Sequence, residues 1–291
     1  MDNRYIICKN KDGVWMRFDS TFGPFLLTHI DGIYGFDSNV ITTTNNMVDG
    51  ASVLGNVKQI RNIVITLIDR DEFQTHRQAL YELFDSKSEG ELIYCENGQS
   101  KSIGYICESI ESESTLRAHS ITISLLCPDP LFSDVRDTEL VMAGWIPQFE
   151  FPHEFKSVGE ELGRRSNVKL KKIRNTSASS NIGITIEMSA LGNIKNPNFY
   201  HIEQNMHINI GTTLKPLNLK RGDILRISTH NSNKKVVLIS DGVEKNINEY
   251  LSVDSYFFQL NRGVNSIGYD AEVGREYMEV KLLYRFKYGG V

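Results

Sequence analysis

The histidines and cysteines are the residues of this chain whose chemistry would be most specific, because they ligate metals and serve as nucleophiles or bases. The seven histidines show no HExxH, HxH or other paired-ligand spacing. The four cysteines all lie in the first half of the chain and include no CxxC pair: Cys8, Cys95, Cys107 and Cys127. The last three lie in apolar, strand-like runs. We therefore predict no metal site and no cofactor, and we expect buried free thiols rather than disulfides.

The sequence also gives little indication of catalysis by a serine or by a pair of carboxylates. No serine lies in a G-x-S-x-G turn, which would expose a nucleophile. A glycosidase needs two acids roughly 5–9 Å apart across a cleft, and a count of acids cannot exclude such a pair. The most distinctive acid is Asp223, which follows Gly222 and precedes the strand-like run 224–227. A Gly-Asp pair at that point predicts a turn in which the carboxylate accepts backbone N–H groups. We predict no catalytic residue and no enzymatic activity.

The bulk properties are those of an ordinary globular protein, with 23% charged and 40% hydrophobic residues. The net charge of −4 argues against broad binding to nucleic acid or to a membrane surface. No apolar stretch approaches the roughly 20 residues that cross a bilayer, and residues 1–5 lack a signal-peptide core. We therefore expect no membrane insertion and synthesis in a cytoplasm. The basic run 169–174 could touch nucleic acid, but we favour an edge strand whose Leu170 faces inward while its lysines stay solvated.

The elements that would position any site begin with β-type runs. A polar segment at 37–59 is too rich in Thr, Asn and Asp for a core element and predicts a long loop or hairpin. The next run, 61–68, alternates apolar and polar residues and predicts a half-buried strand. A helix is then predicted at 71–85, with Asp69 as its N-cap and Glu72 completing a capping box. We expect this amphipathic helix to cover the apolar face of a sheet.

Three further strands are predicted before the prolines Pro128 and Pro130, which end the last of them because proline removes a ladder donor. We place the boundary of the first domain just beyond, so that it covers residues 1–135. Residues 136–181 are interpreted as a linker or elaboration. In residues 182–291 strand-like runs and turn signals recur about every ten residues, which is typical of a sandwich.

Aromatic residues of the second half allow two interpretations. Tyr256, Phe257 and Phe258 are consecutive, and Tyr284, Phe286 and Tyr288 alternate along what reads as the last strand. An exposed aromatic row can stack on sugars, so carbohydrate binding stays open as an alternative. Alternation more often buries one face in a core, and we favour core packing.

Several short strings follow one another in a fixed order along the chain: first Cys127-Pro128-Asp129-Pro130-Leu131-Phe132, then further strings in residues 219–291. This order resembles that of phage distal tail proteins, the siphovirus-type Dit-like family. The first string is similar to the place where the first domain of that family ends, and the later strings are similar to its C-terminal region. The positions that carry the resemblance are Arg61, Cys127, Pro128, Asp129, Pro130, Phe132, Gly222, Asp223, Ser255, Phe257, Gly263, Asn265, Tyr284 and Arg285.

The resemblance implies a mainly β protein with two β-sandwich-type domains, the first carrying one helix on a sheet and the second galectin-like. It implies a non-enzymatic structural protein of a phage or prophage virion, a baseplate hub assembled in the bacterial host cytoplasm and located at the tail tip. Six copies would form a ring, with segment 37–59 reaching the neighbouring subunit. The implied partners are the tail tube protein and tail-tip or receptor-binding proteins, while DNA passes through the lumen without specific binding. The alternatives are a carbohydrate-binding adhesin module and, less favoured, a tail-associated hydrolase.

Overall fold

The computed structural model describes the whole chain except residues 1–3, 45–48, 70–72, 86–88, 115–118, 148–162, 168, 179–180 and 232. Side chains are also left out at 73–75, 114, 144–147 and 163–167. The chain forms two compact units. The first contains Met1–Val135 together with Lys287–Val291, and the second contains Arg136–Phe286.

The described residues of the first part of the chain form ten strands and one α-helix. These are β1 (Tyr5–Asn10), β2 (Trp15–Asp19), β3 (Phe25–Asp31), β4 (Ser38–Thr43), β5 (Ser52–Lys58), β6 (Arg61–Asp69), α1 (Phe73–Leu83), β7 (Glu89–Glu96), β8 (Gln99–Ser114), β9 (His119–Cys127) and β10 (Phe132–Asp134).

In the rest of the chain, the described residues form fifteen strands and two short 3-10 helices, at Asn248–Tyr250 and Arg275–Tyr277. The strands are β11 (Thr138–Pro147), β12 (Gly163–Asn167), β13 (Leu170–Asn175), β14 (Asn181–Ile182), β15 (Ile184–Ala190), β16 (Ile194–His201), β17 (Met206–Asn209), β18 (Asn218–Leu219), β19 (Ile224–Ser228), β20 (Lys235–Ser240), β21 (Val243–Asn246), β22 (Leu260–Asn261), β23 (Gly263–Val273), β24 (Met278–Tyr284) and β25 (Lys287–Tyr288).

The first unit is built on a nine-stranded sheet in the order β25-β10-β8-β7-β1-β2-β3-β6-β9. Strand β9 also pairs with β8, so the sheet closes on itself. Alternation along β6 buries Ile63, Ile65 and Leu67 completely, as the predicted half-buried strand requires. Leu80 and Leu83 of α1 pack into the same core. The mainly β fold with one helix packed on a sheet is thereby confirmed.

The predicted helix is present over Phe73–Leu83, inside the expected range 71–85. Its predicted N-cap, Asp69, is instead the last residue of β6. The Asp69 carboxylate lies 3.2 Å from Nδ1 of His76 on the helix. Glu72, the other member of the predicted capping box, lies outside the described residues.

The second unit has two main sheets that share one core. A seven-stranded sheet has the order β12-β11-β24-β15-β19-β20-β21, and a five-stranded sheet has the order β13-β23-β16-β17 with β18 paired to β16. The core takes Ile186 and Leu282 from the first sheet and Phe199 and Tyr269 from the second, all of them fully buried. Two sheets that bury their inner faces against each other form a sandwich.

The domain boundaries in the structure differ from the predicted ones in two places. Strands β11, β12 and β13 lie within the predicted linker 136–181, yet they pair inside the sheets of the second unit. Segment Lys287–Val291 belongs to the first unit, although we assigned it to the second domain, because β25 pairs with β10. The predicted single last strand with alternating Tyr284, Phe286 and Tyr288 is wrong, since β24 ends at Tyr284 and β25 joins a different sheet.

The basic run 169–174 forms β13, which lies at one end of the five-stranded sheet. The edge-strand interpretation is confirmed, but the residue that faces the core is Ile173 rather than Leu170. Lys172 and Arg174 are exposed on the other face. Within the described part of the chain, no helix is long and apolar enough to cross a membrane.

Candidate assembly interface

Strands β4 and β5 form a hairpin that pairs with no other described strand. Every residue of β4 is exposed, and only Gly55 and Lys58 of β5 are partly covered. The hairpin nevertheless carries apolar side chains, of which Val53, Leu54 and Val57 are 65%, 68% and 61% exposed. An isolated two-stranded hairpin is at best marginally stable in water, and exposed apolar patches mark interaction sites. The predicted hairpin at 37–59 is therefore a candidate contact surface.

Two contacts join the chain that enters the hairpin to the chain that leaves it. The Gln59 amide donates to the carbonyl of Asp37 at 2.9 Å, which closes the ladder just outside the paired strands. The Lys58 ammonium lies 5.0 Å from the centre of the Phe36 ring, a cation–π contact across the base. Phe36 and Ile60 are themselves 46% and 63% exposed, so the apolar surface continues from the hairpin onto its base.

Arg61, the first residue of β6, is 5% exposed, and the hydrogen bonds described for its guanidinium go to backbone carbonyls. Its Nε donates to Pro130 at 2.7 Å, and one terminal nitrogen donates to Gly32 at 2.7 Å. The other terminal nitrogen donates to Gly289 at 2.6 Å. Burial lowers the pKa of this guanidinium. One planar group thus joins three segments that are far apart in sequence.

The string Cys127 to Phe132 surrounds that arginine. Cys127 is directly opposite Arg61 in the pairing of β6 with β9, and the Arg61 guanidinium carbon lies 5.0 Å from the centre of the Phe132 ring. The Asp129 carboxylate accepts the Leu131 amide at 3.2 Å. The structure therefore brings four predicted family positions together at one point: Arg61, Cys127, Pro130 and Phe132. Two further members of the string, Pro128 and Asp129, are exposed beside them.

Asp223 holds a turn, as its Gly-Asp setting predicts. Gly222 has φ +95°, a left-handed conformation that favours glycine. The Asp223 carboxylate accepts the Lys220 amide at 2.9 Å and the Ser240 hydroxyl at 2.7 Å, and the residue is 4% exposed. These bonds satisfy the buried charge within the turn and the neighbouring strand β20.

Asn265 has the same role at a second turn of the second unit. It is fully buried, and its Nδ2 donates to the carbonyls of Asn261 at 2.8 Å and Gly263 at 3.0 Å. Its Oδ1 accepts the Asn261 amide at 2.8 Å and contacts Nε2 of His201 at 2.9 Å. Gly263 has φ +98°. These contacts close the turn between β22 and β23 and join it to β16.

The other predicted positions of the second unit make local contacts. The Ser255 hydroxyl accepts the Asn209 amide at 3.0 Å. Phe257 is partly buried against the core, and Tyr284 is 8% exposed. Arg285 donates to the Asp137 carboxylate at 2.7 Å.

The cysteines are all free and buried, which confirms the predicted thiols. Burial raises the pKa of the Cys127 thiol to about 12 and also raises the pKa of the Cys8 and Cys107 thiols. Such thiols are poor nucleophiles at neutral pH. Among the residues that the structure describes, no group of three or more His, Cys, Asp or Glu side chains could hold a metal ion.

Both the sequence and the fold of this chain are similar to those of phage tail proteins. Residues 18–127 match the model of the phage tail protein RIFT-related domain. The crystal structure of the SPP1 Dit protein (gp 19.1), described as a paradigm of the hub adsorption apparatus in Gram-positive infecting phages, superposes with a TM-score of 0.66 at 11% identity. That match covers 97% of this chain and 98% of the SPP1 chain. The chain has the fold of a phage distal tail protein.

Chains of two structures of the phage p2 baseplate in its activated conformation, one with Sr and one with Ca, have the same fold as this chain. Each has a TM-score of 0.62 and covers 100% of both chains, at 11% and 12% identity. The resemblance to phage distal tail proteins is confirmed. No curated protein sequence matches significantly. The family match ends at Cys127, so β10, β25 and the carbonyls of Pro130 and Gly289 that accept hydrogen bonds from Arg61 lie outside it.

Proposed function

We propose that the chain is a structural virion protein, a hub at the distal end of a long phage tail that joins the tail tube to the baseplate or receptor-binding apparatus. The observation that carries this proposal is the exposed hairpin β4–β5, an apolar arm on a unit that matches a phage tail domain. The whole-chain likeness to the SPP1 Dit protein and to p2 baseplate proteins supports it. The protein is then located in the virion and has no catalytic role.

The assembled form is proposed to be a homo-hexameric ring. Each contact in a cyclic ring joins two different patches, so the hairpin of one copy must meet another surface on the next copy. The first unit offers exposed aromatic side chains for that surface, with Trp15 64% and Phe22 74% exposed. The Asp19 carboxylate accepts the Thr21 amide at 2.8 Å and so fixes the turn that presents Phe22. DNA would pass through the lumen without specific binding, which agrees with the net charge of −4.

The second unit is proposed to dock tail-tip or receptor-binding proteins. Two of its loops present aliphatic side chains to solvent, those of Leu214 and Val253, which are both fully exposed. Tyr256 follows on the second loop and is 61% exposed. Exposed apolar side chains mark protein interaction sites, and tyrosine is enriched among the residues that anchor them.

The hairpin proposal is tested with a matched pair of substitutions. Leu54 on the hairpin and Val243 on β21 of the second unit are each 68% exposed on a strand. Leu54→Glu should lower ring affinity at least tenfold, because a buried charge without a partner is costly at an interface, whereas Val243→Glu should leave the ring intact. Native mass spectrometry over a concentration series measures both. Equal effects of the two substitutions, or none, would reject the hairpin as the subunit contact.

Carbohydrate binding by the second unit is a second candidate, favoured by a polar groove of about 590 Å³. Asn198, Tyr200 and Asp270 line it, from strands β16 and β23. Amide, hydroxyl and carboxylate groups beside an aromatic ring can bind sugar hydroxyls. Screening the full chain against a glycan array, with Asp270→Ala as the control, tests this candidate. Saturable binding that the substitution abolishes would support it, and uniform absence of binding would remove it.

A further inference from the structure

The segment Lys287–Val291, which we call the returning segment, lies against the base of the hairpin β4–β5. We propose that the returning segment and Arg61 together fix that base and thereby set the direction in which the hairpin projects. This inference rests on the proposed role of the hairpin as the subunit contact. It adds a requirement for assembly: the hairpin can bind its neighbour with full affinity only after residues 287–291 have docked.

The returning segment is firmly held on the first unit. Tyr288 and Lys287 pair with Phe132 and Ser133 of β10, which adds β25 to the edge of the closed sheet. The Tyr288 hydroxyl donates to the Asp134 carboxylate at 3.1 Å. An ammonium group, that of Lys101, lies 3.6 Å from the centre of the Tyr288 ring. Backbone pairing, a charge-assisted hydrogen bond and a cation–π contact together make docking of this short segment favourable.

The segment then passes directly over the chain that enters the hairpin. The Val291 amide donates to the Ile33 carbonyl at 3.3 Å. A Cβ atom at Gly290 would lie 2.8 Å from the carbonyl oxygen of Tyr34, and one at Gly289 would lie 2.9 Å from the Phe36 ring. Only glycine fits so closely against the Tyr34 backbone, so position 290 requires a glycine. Gly290, with Gly289 beside the Phe36 ring, allows the segment to cover residues 33–36, shortly before β4.

Arg61 completes the arrangement from the other side. It follows β5 by three residues, so it marks the exit of the hairpin, as residues 33–36 mark the entry. Its guanidinium bonds Gly32 before the entry and Gly289 in the returning segment, at 2.7 and 2.6 Å. Entry, exit and returning segment therefore share one buried group. The hairpin strands pair with no other described strand. Their direction therefore depends on the contacts at the base of the hairpin.

The returning segment is synthesised much later than the hairpin that it supports. The entire second unit, Arg136–Phe286, is synthesised between the hairpin and the returning segment. A chain that has not reached residue 291 has a hairpin base without this support. A mobile hairpin must be ordered when it binds, and that ordering reduces affinity. Chains in which residues 287–291 have not yet been synthesised are therefore poor partners for ring assembly.

The test compares two glycine substitutions in the full chain. In Gly290→Ala the new Cβ meets the Tyr34 carbonyl, whereas in Gly104→Ala the new Cβ lies 3.9 Å from the Gly90 carbonyl oxygen, an ordinary contact distance. Hydrogen exchange measured by mass spectrometry on peptides spanning 33–38 and 57–61 reports the hairpin base. We expect about tenfold faster exchange there in Gly290→Ala, with no change in Gly104→Ala. Ring affinity should fall by about tenfold in parallel, which corresponds to about 1.4 kcal/mol.

A second variant, with the chain ended after Phe286, removes the returning segment outright and is used where Gly290→Ala leaves exchange of residues 287–291 unchanged. Faster exchange at the base in the variant that loses the segment supports the inference. Unchanged exchange at the base, with the segment released or removed and the sheet still protected, overturns it. The exchange measurement is independent of assembly. If the wild-type chain forms no ring, the proposed function fails while the exchange result still decides this inference.

Discussion

Replacing Arg61 by methionine should destabilise the first unit more than any exposed arginine replacement does. Methionine retains much of the side-chain volume but donates no hydrogen bond, so the carbonyls of Gly32, Pro130 and Gly289 lose donors that lie within 2.7 Å. Each unsatisfied buried polar group costs about 1–3 kcal/mol. Removing the buried charge recovers part of its desolvation cost. We expect a net loss of about 3–5 kcal/mol in the free energy of unfolding of this unit.

The assay is urea-dependent hydrogen exchange followed on peptides from β6 and β9, because these strands report the first unit alone. With a urea slope of about 2 kcal/mol per molar, the expected loss lowers the midpoint by about 2 M. The control is Arg226→Met in the second unit, followed in the same way on peptides from β15 and β19, where the side chain is 41% exposed and pairs with Glu187 at 3.0 Å. An exposed pair is worth about 1 kcal/mol or less. A loss for Arg61→Met no larger than that of the control would refute the argument.

Two further predictions concern buried polar groups. Burial raises the pKa of the Cys127 thiol from 9.0 to about 12, so the stability that the buried thiol contributes is complete below pH 9 and is lost as the pH rises toward 12. Cys127→Ala should therefore make the fall of the urea midpoint between pH 9 and pH 12 less steep. An unchanged dependence of the midpoint on pH would contradict the contribution of the Cys127 thiol. Asn265→Asp removes the donors to Asn261 and Gly263 and should cost the second unit about 2–3 kcal/mol, measured by hydrogen exchange in β23. The exposed Asn218→Asp should cost less than about 0.5 kcal/mol, and equal losses would refute the role of Asn265.

Local patterns in the sequence predict several elements of the first unit, although not β3, β10 or β25. The alternation of apolar residues in 61–68 specifies β6, because a strand has a period of two and one of its faces is buried. The helix is placed correctly, since its apolar positions recur on one face. The polarity of 37–59 predicts a segment outside the core, and the structure has an exposed hairpin there.

Contacts between distant segments could not be predicted in this way. Arg61 and Gly289 are 228 positions apart, and neither carries a local signal for the hydrogen bond that joins them. The run 280–291 reads as one alternating strand, because its side-chain pattern continues after Tyr284 although the chain changes sheets. Strand β12 was missed because Gly163–Asn167 is polar and has no periodic apolar face. Pairing partners, rather than local propensity, decide these elements.

The measurement that tests the central claim most directly is native mass spectrometry of the purified full-length chain, combined with negative-stain imaging of the same sample. The proposed function predicts a particle with six times the mass of one chain and a ring-shaped projection whose central hole is wide enough for duplex DNA. A stable trimer without such a hole would contradict a hexameric tail hub.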